Sequence, residues 1–206
     1  MFVTVWAIAA NGQTTNVVLL EHVADSLIAT VLEANAEVLN GAVCITNAGP
    51  RHDADWLFEQ RIIAGLQHNA VMAVYVHNDP DGCDTMNSDS LDLHVFEYHI
   101  GKLQILYEPS KPVSDIANPV RRTVMLMMNF RILGEPEGRV LWSGTLEKHL
   151  VDTVDQETIP SLEDEHMRFT QGSYVQADKE AGILQPILVA TVTGVVVYLF
   201  YAFRSR

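Results

Sequence analysis

Residues 120–150 read VRRTVMLMMNFRIL-GEPEG-RVLWSGTLEKHL, and this stretch decides the fold class. Two long apolar runs, rich in β-branched and aromatic residues, flank five residues that contain two glycines and a proline. That pattern predicts a β-hairpin, with strands over 120–133 and 139–150 and a turn over 134–138. Phe130 and Trp142 are expected to pack in the sheet. Met125, Met127 and Met128 are expected to fill core rather than form a ligand groove. Arg121 and Arg122 are neighbours on a strand and point to opposite faces, so at most one is expected to meet a partner.

Working outward, residues 91–98 alternate as LDLHVFEY. Leu91, Leu93, Val95 and Tyr98 are assigned to the core. Ile100-Gly101-Lys102 reads as a tight reversal, after which residues 103–107 continue as a strand. Pro109, Pro112 and Pro119 bound a loop. Further upstream the period changes. Leu20, Val23, Leu27, Val31, Ala34 and Val38 recur three and four apart and predict a helix over 16–39, stopped by Asn40-Gly41. Residues 42–46 (AVCIT) read as a buried strand. Asp53 or Asp55 can cap a second helix that carries Phe58, Ile62 and Leu66 and ends near His68. Residues 70–77 (AVMAVYVH) read as a second buried strand. Helix, strand, helix, strand and then a run of strands predict an α+β fold: a mixed sheet of about five strands with two helices on one face.

Composition narrows the class. The chain has 206 residues, 48% of them hydrophobic and 19% charged, enough for one domain with a real core. Its formal net charge of −13 disfavours nucleic-acid binding, which needs the opposite sign. Two cysteines exclude a disulfide scaffold and a four-cysteine zinc site.

Part of the apolar fraction is concentrated in residues 183–203, ILQPILVATVTGVVVYLFYAF, which carry no charge. As a helix this stretch would span about 30 Å, the thickness of a bilayer core. Tyr198 and Tyr201 approach one end of it, and Arg204 and Arg206 follow. The expectation is a C-terminal transmembrane helix with an aromatic and basic anchor and a cytoplasmic tail over 204–206. The domain over 13–150 is then extracytoplasmic, and residues 151–182, acidic and polar, form a stalk. Residues 2–10 (FVTVWAIAA) precede small residues suited to cleavage, so 1–12 reads as a signal peptide, although no Lys or Arg precedes the run. Two other readings remain open: a first β-strand, or a cytosolic tail-anchored protein. The localisation that follows from the first reading is the inner (cytoplasmic) membrane, in single pass.

The hairpin also carries a resemblance. An arginine-led apolar strand, the turn Gly134-Glu135-Pro136-Glu137-Gly138 and then Val140-Leu141-Trp142-Ser143-Gly144 resemble a G-x-V-L-W hairpin of bacterial envelope proteins. The order of elements over 16–150 resembles the periplasmic α+β domains of three groups. These are curli-secretion lipoproteins, lipoprotein activators of cell-wall synthases, and the N-terminal domain of the Tol-system propeller protein. No lipobox cysteine stands near residue 13, so here a helix would replace the lipid as tether. The resemblance implies a non-catalytic role in an envelope assembly, secretion or cell-wall complex, with envelope proteins as partners, and carries over no site residues.

Candidate chemistry is sparse. Asp79, Asp81 and Asp84, beside Gly82 and followed by Asn87 and Asp89, form the densest set of oxygen ligands and could wrap Ca²⁺. The EF-hand spacing fails, and a solvated acidic loop is the simpler reading. Cys44 and Cys83 could form one disulfide in an exported domain. None of the eight histidines forms HxH or HExxH. No resident cofactor is expected. Beside the binding role stand two alternatives. One is a membrane-tethered metal-dependent hydrolase using the loop from Asp79 to Asp89. The other is a structural protein that forms homo-oligomers through Ala190 and Gly194 of the membrane helix.

Overall fold

The computed structural model describes residues 13–69, 71, 73–77, 93–111, 116, 118–134 and 138–175. Helix α1 spans Asn16–Ala34, strand β1 Ala42–Asn47, helix α2 Asp55–His68 and strand β2 Ala73–His77. Three long strands follow: β3 (Leu93–Pro109), β4 (Pro119–Gly134) and β5 (Arg139–Asp155). A short helix, α3 (Ile159–Leu162), two 3-10 turns (Gln156–Thr158 and Arg168–Thr170) and a two-residue strand, β6 (Ser173–Tyr174), complete the described elements. The strands form one mixed sheet in the order β2-β1-β3-β4-β5. β1 runs parallel to β2 and β3, while β3, β4 and β5 form an antiparallel meander. β6 adds a sixth strand, parallel to the end of β3 at Leu106 and Tyr107. The α+β expectation therefore holds, with one more strand.

The main core lies between one sheet face and the two long helices. α1 buries Leu19, Leu20, Val23, Ala24, Leu27, Ile28, Val31 and Leu32, a stripe wide enough to face both the sheet and α2. α2 contributes Leu57, Phe58, Ile62 and Leu66. Gly65 lets the helices approach: a Cβ there would stand 2.8 Å from Leu32 Cδ1 and 3.1 Å from Ile28 Cγ2. The expected extension of α1 to residue 39 does not occur. Asn35 Nδ2 donates to the Val31 carbonyl at 2.8 Å, and a side chain that satisfies a terminal carbonyl favours an end to the helix. Ala34, one of the periodic residues that predicted the helix, is exposed, and Asn35 is buried instead.

The predicted hairpin is present, with Gly134 opposite Arg139 and Gly138 at φ 61°, a left-handed conformation that favours glycine. The reversal expected at 100–102 is not. β3 runs through it as one strand paired to β4, and the register shifts between Ile100 and Lys102. Gly101 sits in that bulge, under Met127, whose Cε would lie 2.8 Å from a Cβ at position 101. The bulge changes the phase of burial. Phe96, Tyr98 and Ile100 face the main core before it, and Leu103, Ile105 and Tyr107 after it. Leu93 and Val95 belong instead to a smaller cluster with Ala42 and Cys44.

Both adjacent arginines of β4 find partners, against the expectation of at most one. Arg121 pairs with Glu108 on β3, and Arg122 with Asp152, its cross-strand neighbour on β5. Opposite faces each offered a carboxylate. Arg131 Nε likewise donates to Glu97 at 2.6 Å.

Residues 151–174, expected within the stalk, extend the domain. β5 continues to Asp155, and Ile159, Leu162 and Phe169 are buried in the main core. Asn16 Nδ2 donates to the Thr170 carbonyl at 2.7 Å, and Gly172 N–H to Glu163 Oε1 at 2.7 Å. Among the described residues no helix is long and apolar enough to cross a membrane. The stretch over 183–203 lies outside them, as do residues 1–12.

Candidate functional site

The C-terminal end of β1 leads into the loop before α2, beside Tyr98 of β3. Asn47, the last residue of β1, is opposite Tyr98 of β3, and Ala48 N–H donates to the Tyr98 carbonyl at 2.9 Å. The chain then turns into α2. Asn47 Oδ1 accepts from Gly49 N–H at 2.8 Å. Gly49 is required by a close approach, because a Cβ there would fall 1.8 Å from Nδ1 of His99. Asp55, anticipated as a cap, is the first residue of α2. Its Oδ2 accepts from His52 N–H and from Asn47 Nδ2, both at 2.8 Å, and this fixes the loop.

This arrangement leaves a cavity of about 500 Å³, lined mainly by β1, the loop and the first turns of α2. Its chemistry comes from Asp55, Trp56 and Glu59 of α2, Tyr98 of β3, and Arg51 and His52 of the loop. Asp55 Oδ1 is buried and unpaired. Tyr98 is 2% exposed, and no hydrogen bond to its hydroxyl is formed among the described residues. Burial, with the charges of Asp55 and Glu59, pushes the Tyr98 hydroxyl well above the ordinary tyrosine range. Burial, with the Asp55 charge, raises the Glu59 carboxyl. Trp56 is 46% exposed and meets Phe169 edge-on, with ring centroids 6.4 Å apart. The walls therefore present two carboxylates, a tyrosine hydroxyl and an aromatic face, with the donors Arg51 and His52 from the loop. The positive end of α2 is already answered by the Asp55 carboxylate.

The sequence-derived candidates lie elsewhere. Asp79, Asp81, Asp84 and Cys83 are outside the described residues, as are Tyr198, Tyr201, Arg204 and Arg206. Cys44 is fully buried in β1, in the smaller cluster with Ala42, Leu93 and Val95. His94 and His99 fall on opposite faces of β3, each with Nδ1 buried and unpaired. Among the described residues no three His, Cys, Asp or Glu side chains are placed to hold a metal. Tyr98 had been assigned to the core and Asp55 to a cap, so neither marked the cavity. The usable signal was a strand-loop-helix unit in a parallel pair, because such sheets form crevices beyond the C-terminal ends of their strands.

No protein-family model matches the chain, and no curated protein sequence matches it. Among solved structures it is similar to lipoprotein GNA1162 from Neisseria meningitidis, at 11% identity and a TM-score of 0.32, over 76% of this chain and 98% of that one. A minor lipoprotein from Acinetobacter baumannii gives 14% identity and a TM-score of 0.34, over 59% and 72%. A Xanthomonas campestris protein of family DUF330 gives 11% and 0.35, over 65% and 77%. All three are bacterial and two are lipoproteins, but likeness of this size assigns neither family nor function.

Proposed function

We propose that this chain is a membrane-anchored binding protein of a bacterial cell envelope. Its domain would stand outside the cytoplasmic membrane and hold protein partners in an assembly, secretion or cell-wall complex. The observation that carries this reading is the order of two parts: a folded acidic domain, then 21 uncharged residues, 183–203, closed by Arg204 and Arg206. The folded part supports it. Buried Phe169 and the Asn16–Thr170 bond hold the chain to the domain as far as Thr170. An extracytoplasmic setting also suits a Cys44–Cys83 bridge.

A tag placed after Arg206 tests the topology. Protease added to spheroplasts should destroy the domain and spare the tag; a protected domain overturns the orientation. Crosslinking in the same cells should join the domain to other envelope proteins. Recovery of the chain alone, or only with its own copies, overturns the binding role.

A further inference from the structure

We infer that the cavity at the C-terminal end of β1, beside Tyr98 of β3, is a subsite for a primary ammonium group. The site is built from three elements. Asp55 offers Oδ1, buried and without a partner, while its Oδ2 is held by His52 N–H and Asn47 Nδ2. Glu59 follows one turn later on the same face of α2. Tyr98 is almost wholly buried, lines the same cavity from β3, and leaves its hydroxyl unpaired among the described residues. A buried polar atom with no partner, as Asp55 Oδ1 is, is costly, and such atoms are retained where something else supplies the partner.

The missing partner is a donor. Two carboxylates on one helix turn repel each other, and an ammonium between them relieves that repulsion and supplies three N–H donors. Tyr98 can accept one of these. Trp56, half exposed beside them, adds an aromatic face for a cation. An anion is disfavoured, because Asp55 already occupies the positive end of α2 and Glu59 adds a second negative charge. Arg51 and His52 are exposed and also line the cavity. The cavity is the size of a small-ligand site and can admit a lysine side chain or a free amine. The source of the ammonium, a partner's lysine, rests on the binding role proposed above; the ammonium site itself does not.

The test is calorimetric titration of the full-length protein in detergent with three probes: Nα-acetyl-lysine amide, cadaverine and the neutral Nα-acetyl-norleucine amide. The two amines should bind and the neutral probe should not. Tighter binding of the lysine probe points to a partner's side chain, and tighter binding of cadaverine to a free amine. Glu59→Gln and Asp55→Asn should each weaken amine binding by about tenfold, the loss of one charge-assisted contact. Tyr98→Phe guards against a folding artefact, because it removes only the unpaired hydroxyl; it should weaken binding without lowering the melting temperature. Equal binding of the neutral probe, no binding of either amine, or variants that bind as the parent does would each overturn the assignment. An amine site with no crosslinked partner in cells would remove the partner and leave the site.

Discussion

Strand β3 carries two buried tyrosines on its helix-covered face, Tyr98 and Tyr107, and their surroundings differ completely. Tyr107 belongs to a saturated polar network. Its hydroxyl accepts from Asn16 Nδ2 at 2.8 Å. Asn16 also accepts from Arg122 Nη1 at 2.7 Å, and the same nitrogen donates to the Thr14 carbonyl at 2.9 Å. Arg122, fully buried, grips Asp152 with two parallel bonds, Nε to Oδ1 at 2.8 Å and Nη2 to Oδ2 at 2.5 Å. Five parts of the chain are joined there: the entry to α1, β3, β4, β5 and the segment around Thr170. Tyr98 has no such company; its neighbours Asp55 and Glu59 are acceptors, and one of their oxygens is also unpaired. The same residue type is structural where its partners are supplied and available for recognition where they are withheld.

The largest effect should come from breaking the saturated side. Arg122→Ala strands buried Asn16 and leaves half-buried Asp152 without its partner, and should cost about 3 kcal/mol, the lower end of the loss when one member of a buried pair is removed. Urea unfolding of the full chain in detergent measures it. A cost below about 1 kcal/mol, the range of exposed ion pairs, would mean that the network contributes no more than a surface pair does.

The two tyrosines can then be compared directly. Tyr107→Phe removes the acceptor of a buried Asn16 N–H and should cost about 1–2 kcal/mol. Tyr98→Phe removes a hydroxyl that bonds to nothing described, so stability should stay within about 0.5 kcal/mol of the parent. Equal losses in the same unfolding series would erase the distinction between the two regions.

How legible each region was in the sequence follows from how local its causes are. The hairpin over 120–150 was readable because alternation and a glycine-bounded turn are local signals. Gly101 was misread because glycine serves both turns and bulges; what decides is β4, which pairs on both sides of it. The segment after 150 looked like a stalk because its apolar residues are scattered among as many charged ones, with no sustained period. Ile159, Leu162 and Phe169 are few, and they matter only because the core offers them places. The cavity was the least legible part. Asp55 and Tyr98 meet only through the parallel pairing of β1 with β3, a long-range fact that no window of sequence contains. Arg122 and Asp152 were equally hidden, since their contact depends on the register of β4 against β5.

The smallest effect is electrostatic, and it sharpens the contrast most. Burial and the Asp55 charge raise the Glu59 carboxyl above its ordinary value in the folded chain. The folded state therefore holds this proton more tightly than the unfolded state does. As pH rises from the ordinary carboxylate value through the raised one, the fold loses stability. The titratable groups lining the cavity with Glu59 are Asp55 on its own helix, Tyr98 on β3, and Arg51 and His52 in the loop. Glu59→Gln cannot ionise, so it should match the parent below this window and exceed it in stability above. Melting curves recorded across mildly acidic to neutral pH give the comparison. A variant less stable than the parent at neutral pH would mean that the Glu59 charge already has a favourable partner within the fold. If an amine fills the cavity, Nα-acetyl-lysine amide should narrow the gap by stabilising the parent more than the weaker-binding variant. The unpaired side of the molecule would then behave as the Arg122 side does once its missing donor is supplied.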